Sequence, residues 1–166
     1  MRVPQAGGVA TPVTEVDTAR REAFHGLPQF LPDGKHFLYE ISGPPEIAGT
    51  YIGSLDAAPK EQSKQRLVPG QYVATFADGY VFFMRESTLM GQPFEVDALK
   101  LTGEPTPMAD SVARTGSTGV FSVSPSGVLA YRTSAGVSSY RQVWLDRQGK
   151  ELGTVGQAVR DERPRL

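Results

Sequence analysis

The sequence predicts an all-β fold, a β-propeller fragment of about three complete four-stranded antiparallel blades with partial blades at both ends. Three observations carry this. The turn glycines Gly34, Gly79 and Gly127 stand 45 and 48 residues apart, within the period of roughly 40–50 residues that marks propeller blades. Each is followed by an apolar strand whose residues superpose, Phe37-Leu38-Tyr39, Val81-Phe82-Phe83 and Leu129-Ala130-Tyr131. The 18 glycines and 13 prolines are many for a helical chain and ordinary for a series of short strands.

Taken in order, the stretch MRVPQAGGVATPVTEV resembles the third and fourth strands of a preceding blade, so residues 1–25 read as a partial blade and linker. Within it TEVDTARREAF (14–24) has a helical-turn alternative, with Thr14 as cap, but reads as a charged loop between blades. The first full blade, residues 26–69, turns at Pro32, Asp33 and Gly34, where glycine supplies the positive φ that the hairpin requires. Its second strand puts Phe37 and Tyr39 on one face; GTYIGSLD (49–56) and KQRLV (64–68) are its third and fourth strands.

The second blade, residues 70–110, repeats the plan with a turn at Asp78 and Gly79, then Val81 and Phe83 on one face, then STLMGQPFE (87–95). Its fourth strand, GEPTPMAD (103–110), contains Pro105 and Pro107, which cannot donate ladder hydrogen bonds and so belong at a sheet edge. The third blade, residues 111–158, has Pro125 and Gly127 at the turn, Leu129 and Tyr131 on the strand, RQVWLDRQG (141–149) with Trp144, and KELGTV (150–155). In RDERPRL, Pro164 falls where Pro28 falls, so residues 159–166 read as the first strand of a following blade.

Sheets of this kind bury both faces only by packing against their neighbours. Phe37, Tyr39, Val81, Phe83, Leu129, Tyr131 and Trp144 are therefore expected in the blade core, and the turn residues are structural. Three blades are fewer than the roughly four to eight of a closed ring, which implies a longer parent propeller and open apolar faces that invite association.

Composition narrows the function classes. A chain of 166 residues can bury a real core. With 17 Lys and Arg against 18 Asp and Glu it has no basic field for nucleic acid or anionic lipid. No apolar run approaches the roughly 18 residues of a membrane span, and the N-terminal stretch lacks the apolar core of a signal peptide. The absence of cysteine removes disulfides, thiolate metal sites and cysteine nucleophiles. Asparagine is absent as well, which removes N-glycosylation and leaves tight turns to Asp-Gly, Ser-Gly and Pro pairs.

Catalytic constellations are weak. There is no Gly-x-Ser-x-Gly elbow, and His25 and His36 read as structural rather than as bases of a triad. The same two histidines lack the repeated carboxylates of a metal site. RTGSTGVF (114–121) matches neither phosphate-binding glycine pattern and reads as a loop. Tyr39, Phe82, Phe83, Tyr131 and Trp144, with no basic surplus beside them, read as buried rings rather than a base-stacking platform. The mixed-sign clusters KEQSKQR (60–66) and RDERPR (160–165) read as solvated loops. No catalytic residue, cofactor or metal is expected, and any ligand site belongs in the variable loops SGPPEIAG (42–49) and SAGVSSY (134–140).

PQFLPDGKHFLY resembles the WD-repeat-like, TolB-type propeller repeat, in which a proline precedes a Ser-Pro-Asp-Gly-Lys-like turn and an apolar strand. YIGSLD, LMGQPFEVDALKLTGEPTPMAD, FSVSPSGVLAYR and VWLDRQGKELGTVG are more narrowly similar to the C-terminal propeller of bacterial membrane-anchored serine/threonine protein kinases. Ala77 and Ser126 depart from the repeat, which prefers Pro and Asp there, but both turns keep their glycine. The resemblance implies an extracytoplasmic, non-catalytic sensor or interaction module whose loops take a protein or small-molecule ligand, with the remainder of the parent propeller as a further partner and no direct membrane contact. No Gly-rich loop with Val-Ala-Ile-Lys, no His-Arg-Asp and no Asp-Phe-Gly occurs here, so any phosphoryl transfer lies elsewhere. The propeller cap of a prolyl-oligopeptidase-like hydrolase and a free-standing TolB-like periplasmic scaffold are the alternatives.

Overall fold

The structure is a computed structural model that describes residues 1–124, 126–134 and 143–154. It is all-β, with several antiparallel sheets and a single turn of 3-10 helix among the described residues. The chain divides into two compact units, Met1–Thr133 and Ser134–Leu166.

The first sheet comprises β1 (Phe24–Phe30), β2 (His36–Ser42), β3 (Gly49–Ser54) and β4 (Arg66–Pro69), paired antiparallel in chain order. Its first hairpin is set by the predicted turn. Gly34 has φ 67 and donates its N–H to Leu31 O at 3.0 Å. One Asp33 carboxylate oxygen accepts the N–H groups of Lys35 and His36, each at 2.9 Å. The His36 imidazole meets the other oxygen at 2.5 Å, and this side-chain bond, followed by the two backbone bonds, holds the Asp33 carboxyl down to about 2. In β1 a bulge between Gly26 and Gln29 sits at Leu27 and Pro28, where proline would break a regular ladder.

The second sheet comprises β5 (Thr75–Ala77), β6 (Tyr80–Arg85), β7 (Thr88–Glu95), and an outer strand in two pieces, β8 (Lys100–Leu101) and β9 (Thr106–Ala109), both paired with β7. The expected edge strand is thus present but broken. Leu101 lies opposite Phe94 and Thr106 opposite Gly91, so the outer chain carries two more residues than its partner across the gap, which contains Gly103 at φ 61 and Pro105. The Gly79 turn differs in design from that at Gly34. Ala77 pairs with Tyr80, leaving Asp78 (φ 48) and Gly79 (φ 77) as a two-residue loop with both φ positive, the type I′ geometry that matches strand twist.

Among the described residues of 111–158 the strands pair as two-stranded hairpins. The first unit contains two small hairpins, β10 (Arg114–Thr115) with β11 (Thr118–Gly119), and β12 (Phe121–Val123) with β13 (Leu129–Tyr131). The second unit contains the hairpin β14 (Val143–Leu145) with β15 (Glu151–Thr154). Gly127 (φ 78) accordingly closes a turn like that of Gly34, its N–H on Ser124 O at 3.0 Å, and Gly149 (φ 82) repeats it on Asp146 O. Pro125 and the expected strand at 159–166 lie outside the described residues.

The N-terminal residues form only one antiparallel bridge, Arg2 with Thr11, rather than two strands of a sheet. The charged segment that follows closes one 3-10 turn, Thr18–Arg20, and its cap is Asp17 and not Thr14: the Asp17 side chain accepts from the N–H groups of Ala19 and Arg20.

Strand alternation gives the two central sheets two apolar rows each. Phe37, Tyr39 and Ile41 face Val13, back toward the N-terminal segment. Leu38, on the other face, joins Val81 and Phe83 of the second sheet in one buried cluster with Leu31, Val68, Ala74, Met90 and Phe94. Phe82 and Met84, on the far face of that sheet, pack with Leu89 and Val112 and meet Phe121, Val123 and Leu129. The rows beginning at Phe37, Val81 and Leu129 therefore all face the preceding segment, and the intervening residues of β2 and β6 face the following one. Two polar links reinforce the junction of the first two sheets. The Gln29 side chain exchanges two hydrogen bonds with the Phe76 backbone, at 2.9 and 2.7 Å. The fully buried Thr50 hydroxyl accepts the Ala74 N–H at 2.9 Å.

Burial follows the expectation for Phe37, Tyr39, Val81 and Phe83, and Leu129 is half-buried. It fails for Tyr131 and Trp144, which are 46% and 60% exposed. Each lies in a two-stranded hairpin, too small a sheet to enclose a large ring.

Candidate functional site

A cleft of about 350 Å³ opens where the β2–β3 loop, the segment before β5 and the β10–β11 turn come together. Ser42, Gly43 and Ala48 of the loop expected to carry a site line it, together with Phe24, Gln71, Tyr72, Gly116 and Ser117. Glu40 lines it as well.

Glu40 sits in β2 between Tyr39 and Ile41, on the face that Leu38 uses to meet the second sheet. The strand therefore carries an acid inward at a position where the superposed residue of β6 is the buried Met84. Glu40 is 6% exposed, and its Oε2 has no hydrogen-bond partner among the described residues. Burial pushes its carboxyl above the usual range, with the Ser117 hydroxyl acting in the opposite direction. Across the β1–β2 ladder its partner is Gly26, where a Cβ would stand 3.9 Å from Oε2 and 3.0 Å from the Phe24 ring.

The walls are held from several sides. Pro44 O accepts from Ile47 N and Ala48 N at 2.9 and 2.8 Å, and the Tyr51 hydroxyl donates to Ile47 O at 2.7 Å. Arg66 donates to the carbonyls of Pro45 and Ala48, and Arg21 is paired with Glu46. On the opposite wall Val73 N donates to Ser117 O at 3.0 Å, and the Arg114 guanidinium stacks 4.8 Å from the Tyr72 ring centroid. The cations nearby are thus engaged elsewhere, and no Lys, Arg or His lines the cleft.

A second buried polar group occupies the opposite face of the first sheet. The Glu22 carboxylate, fully buried, meets Arg20 at 2.8 Å, His25 Nε2 at 2.9 Å and the Asp17 N–H at 2.7 Å. His25 stacks edge-on to Tyr39, 5.3 Å between centroids, and its Nδ1 has no hydrogen-bond partner among the described residues. Burial, with the Glu22 charge second, pushes the Tyr39 hydroxyl up to about 12. Among the described residues that imidazole is hydrogen-bonded to Glu22 and to no serine or threonine, and the network ties the 3-10 turn to β1.

His36 is engaged with Asp33 at the turn, apart from His25, and no group of three or more metal-ligating side chains occurs among the described residues. No described helix is long and apolar enough to cross a membrane. The loop at 42–49, singled out by sequence reasoning for a ligand, contributes Ser42, Gly43 and Ala48 to the cleft, whereas Glu40 was not singled out. The signal was available as an acid inside the apolar run FLYEI, at the place where the second repeat has methionine. No protein-family model matches the chain, and no curated protein or solved structure matches it either.

Proposed function

We propose that this chain is a non-catalytic interaction and sensor module of β-propeller type, carried in the extracytoplasmic part of a bacterial membrane-anchored serine/threonine protein kinase. The observation that supports the propeller reading is the common direction of the apolar rows. A ring of blades requires every sheet to turn the same face to its predecessor, and the rows of Phe37, Val81 and Leu129 do so. The held loops at one end of such sheets, with a cleft among them, suit a ligand or a partner protein. The kinase assignment rests on the sequence similarity of the LKLTGEP and WLDRQGKELG segments.

The reading frame that encodes this chain tests the assignment. A kinase catalytic set and a membrane-spanning helix upstream are expected. A downstream domain of roughly 200–250 residues bearing a Gly-x-Ser-x-Gly elbow would replace the assignment with a hydrolase cap.

A further inference from the structure

We propose that the Glu40 cleft is a binding site for a small organic cation, with a primary ammonium group seated on the Glu40 carboxylate and its carbon chain against the Phe24 and Tyr72 rings. The site lies between elements of one compact unit and does not depend on the propeller reading.

The first support is the unsatisfied oxygen. A carboxylate oxygen removed from water and left without a donor is costly, and natural structures seldom leave one without cause. Here that oxygen is itself enclosed, but the carboxyl group that carries it belongs to a residue lining an open cleft, where no described Lys, Arg or His stands to balance its charge. The second support is the sign and chemistry of the lining. It contains one acid and no base, and its other polar side chains are the hydroxyls of Ser42, Tyr72 and Ser117 and the amide of Gln71. Each of these groups carries an oxygen that can accept an N–H bond of an ammonium ion.

The third support is the pair of rings. Aromatic faces attract organic cations and accommodate the apolar carbons attached to them. A lone carboxylate with two hydroxyls is too few hard ligands for calcium or magnesium, which take six or more oxygens with several carboxylates. At about 350 Å³ the space is at the lower end for ligand sites, which favours an alkylamine or the end of a lysine-like chain over a nucleotide. The surrounding cations do not compete: Arg21 is paired with Glu46, Arg66 holds the carbonyls of Pro45 and Ala48, and Arg114 covers the Tyr72 ring.

Titration of the whole chain with propylammonium chloride, followed by amide NMR at fixed ionic strength, tests the site. Saturable shifts confined to residues 40–43, 71–74 and 116–118 are expected, with a Kd on the order of 1 mM as befits so small a ligand. Size-matched 1-propanol should give none. Glu40→Gln should weaken binding by about tenfold or more, the effect of losing a charge-assisted hydrogen bond. Should that variant not fold, the wild-type protein still decides the matter, because affinity must fall as the pH is lowered and Glu40 takes up its proton. Absence of saturable shifts, equal binding of 1-propanol, an unchanged Kd in Glu40→Gln, or a Kd that does not rise as the pH is lowered would each overturn the proposal. None of these outcomes bears on the parent protein, which the reading frame decides.

Discussion

A carboxyl buried at Glu40 and one exposed at Asp33 are perturbed in opposite directions, and the two leave separable marks on stability. For Glu40 the folded-state value lies above the ordinary 4.5. The folded state then prefers the protonated form, so its contribution is fully present below that pH and is lost as pH rises through the raised value. Asp33 is held at about 2 from an ordinary 3.8, chiefly by His36 and the turn N–H groups, so its contribution is present above 3.8 and is lost only on further acidification. Urea unfolding of the wild type and Glu40→Gln from pH 4 upward thus reads Glu40 with Asp33 essentially constant. The wild type should lose stability relative to the variant as pH rises. Parallel curves would show that the carboxyl is not buried as described.

At the scale of the strands, Gln29 links what backbone pairing does not. It lies in β1, the edge of the first sheet, and its amide pairs with both backbone groups of Phe76 in β5, the edge of the second. Gln29→Ala removes two hydrogen bonds and leaves an N–H and a carbonyl to find water, a loss of about 1–3 kcal/mol. Hydrogen exchange should quicken at Phe76 while the Tyr39 amide, inside the β2–β3 ladder, keeps its protection. Unchanged exchange at Phe76 would deny the link. That contact was invisible in the sequence, because a glutamine seven residues before a histidine carries no periodic signal, whereas the elements themselves were plain. The strands at 49–54, 88–95 and 106–109 fall inside the stretches assigned to them, and that at 66–69 overruns its stretch by one residue, since alternation and turn glycines are local properties. Burial is not local. Tyr131 stands third in its superposed triplet, as Tyr39 and Phe83 do in theirs, yet it is exposed because what surrounds a row depends on neighbouring sheets. The turns show a similar limit: the repeated glycines conceal two hairpin designs, and of the turns at Gly34, Gly79 and Gly127 only that at Asp78-Gly79 is of the two-residue kind.

Across the first unit, the sheets share their cores rather than owning them. Leu38 comes from the first sheet, but the cluster around it is completed by Val81, Phe83, Met90 and Phe94 of the second. In a stack of this kind, stability is a sum of each sheet's own term and of the interfaces with its neighbours, so a cavity at an interface is felt on both sides. Leu38 is almost completely buried, and truncation to alanine should cost about 2–5 kcal/mol. The more telling measurement is where that loss appears. If the two sheets form one cooperative element, Leu38→Ala should lower hydrogen-exchange protection together in β2 and in β6, although no substitution has been made in the second sheet. A cavity at Leu89, whose cluster contains Phe82, Met84 and Val112 on the far side of the second sheet, should instead couple β7 to the Phe121–Val123 strand and leave β2 nearly unchanged. Loss of protection confined to β2 in the first case would mean that the sheets fold separately, and the shared direction of their apolar rows would then describe contact without cooperation.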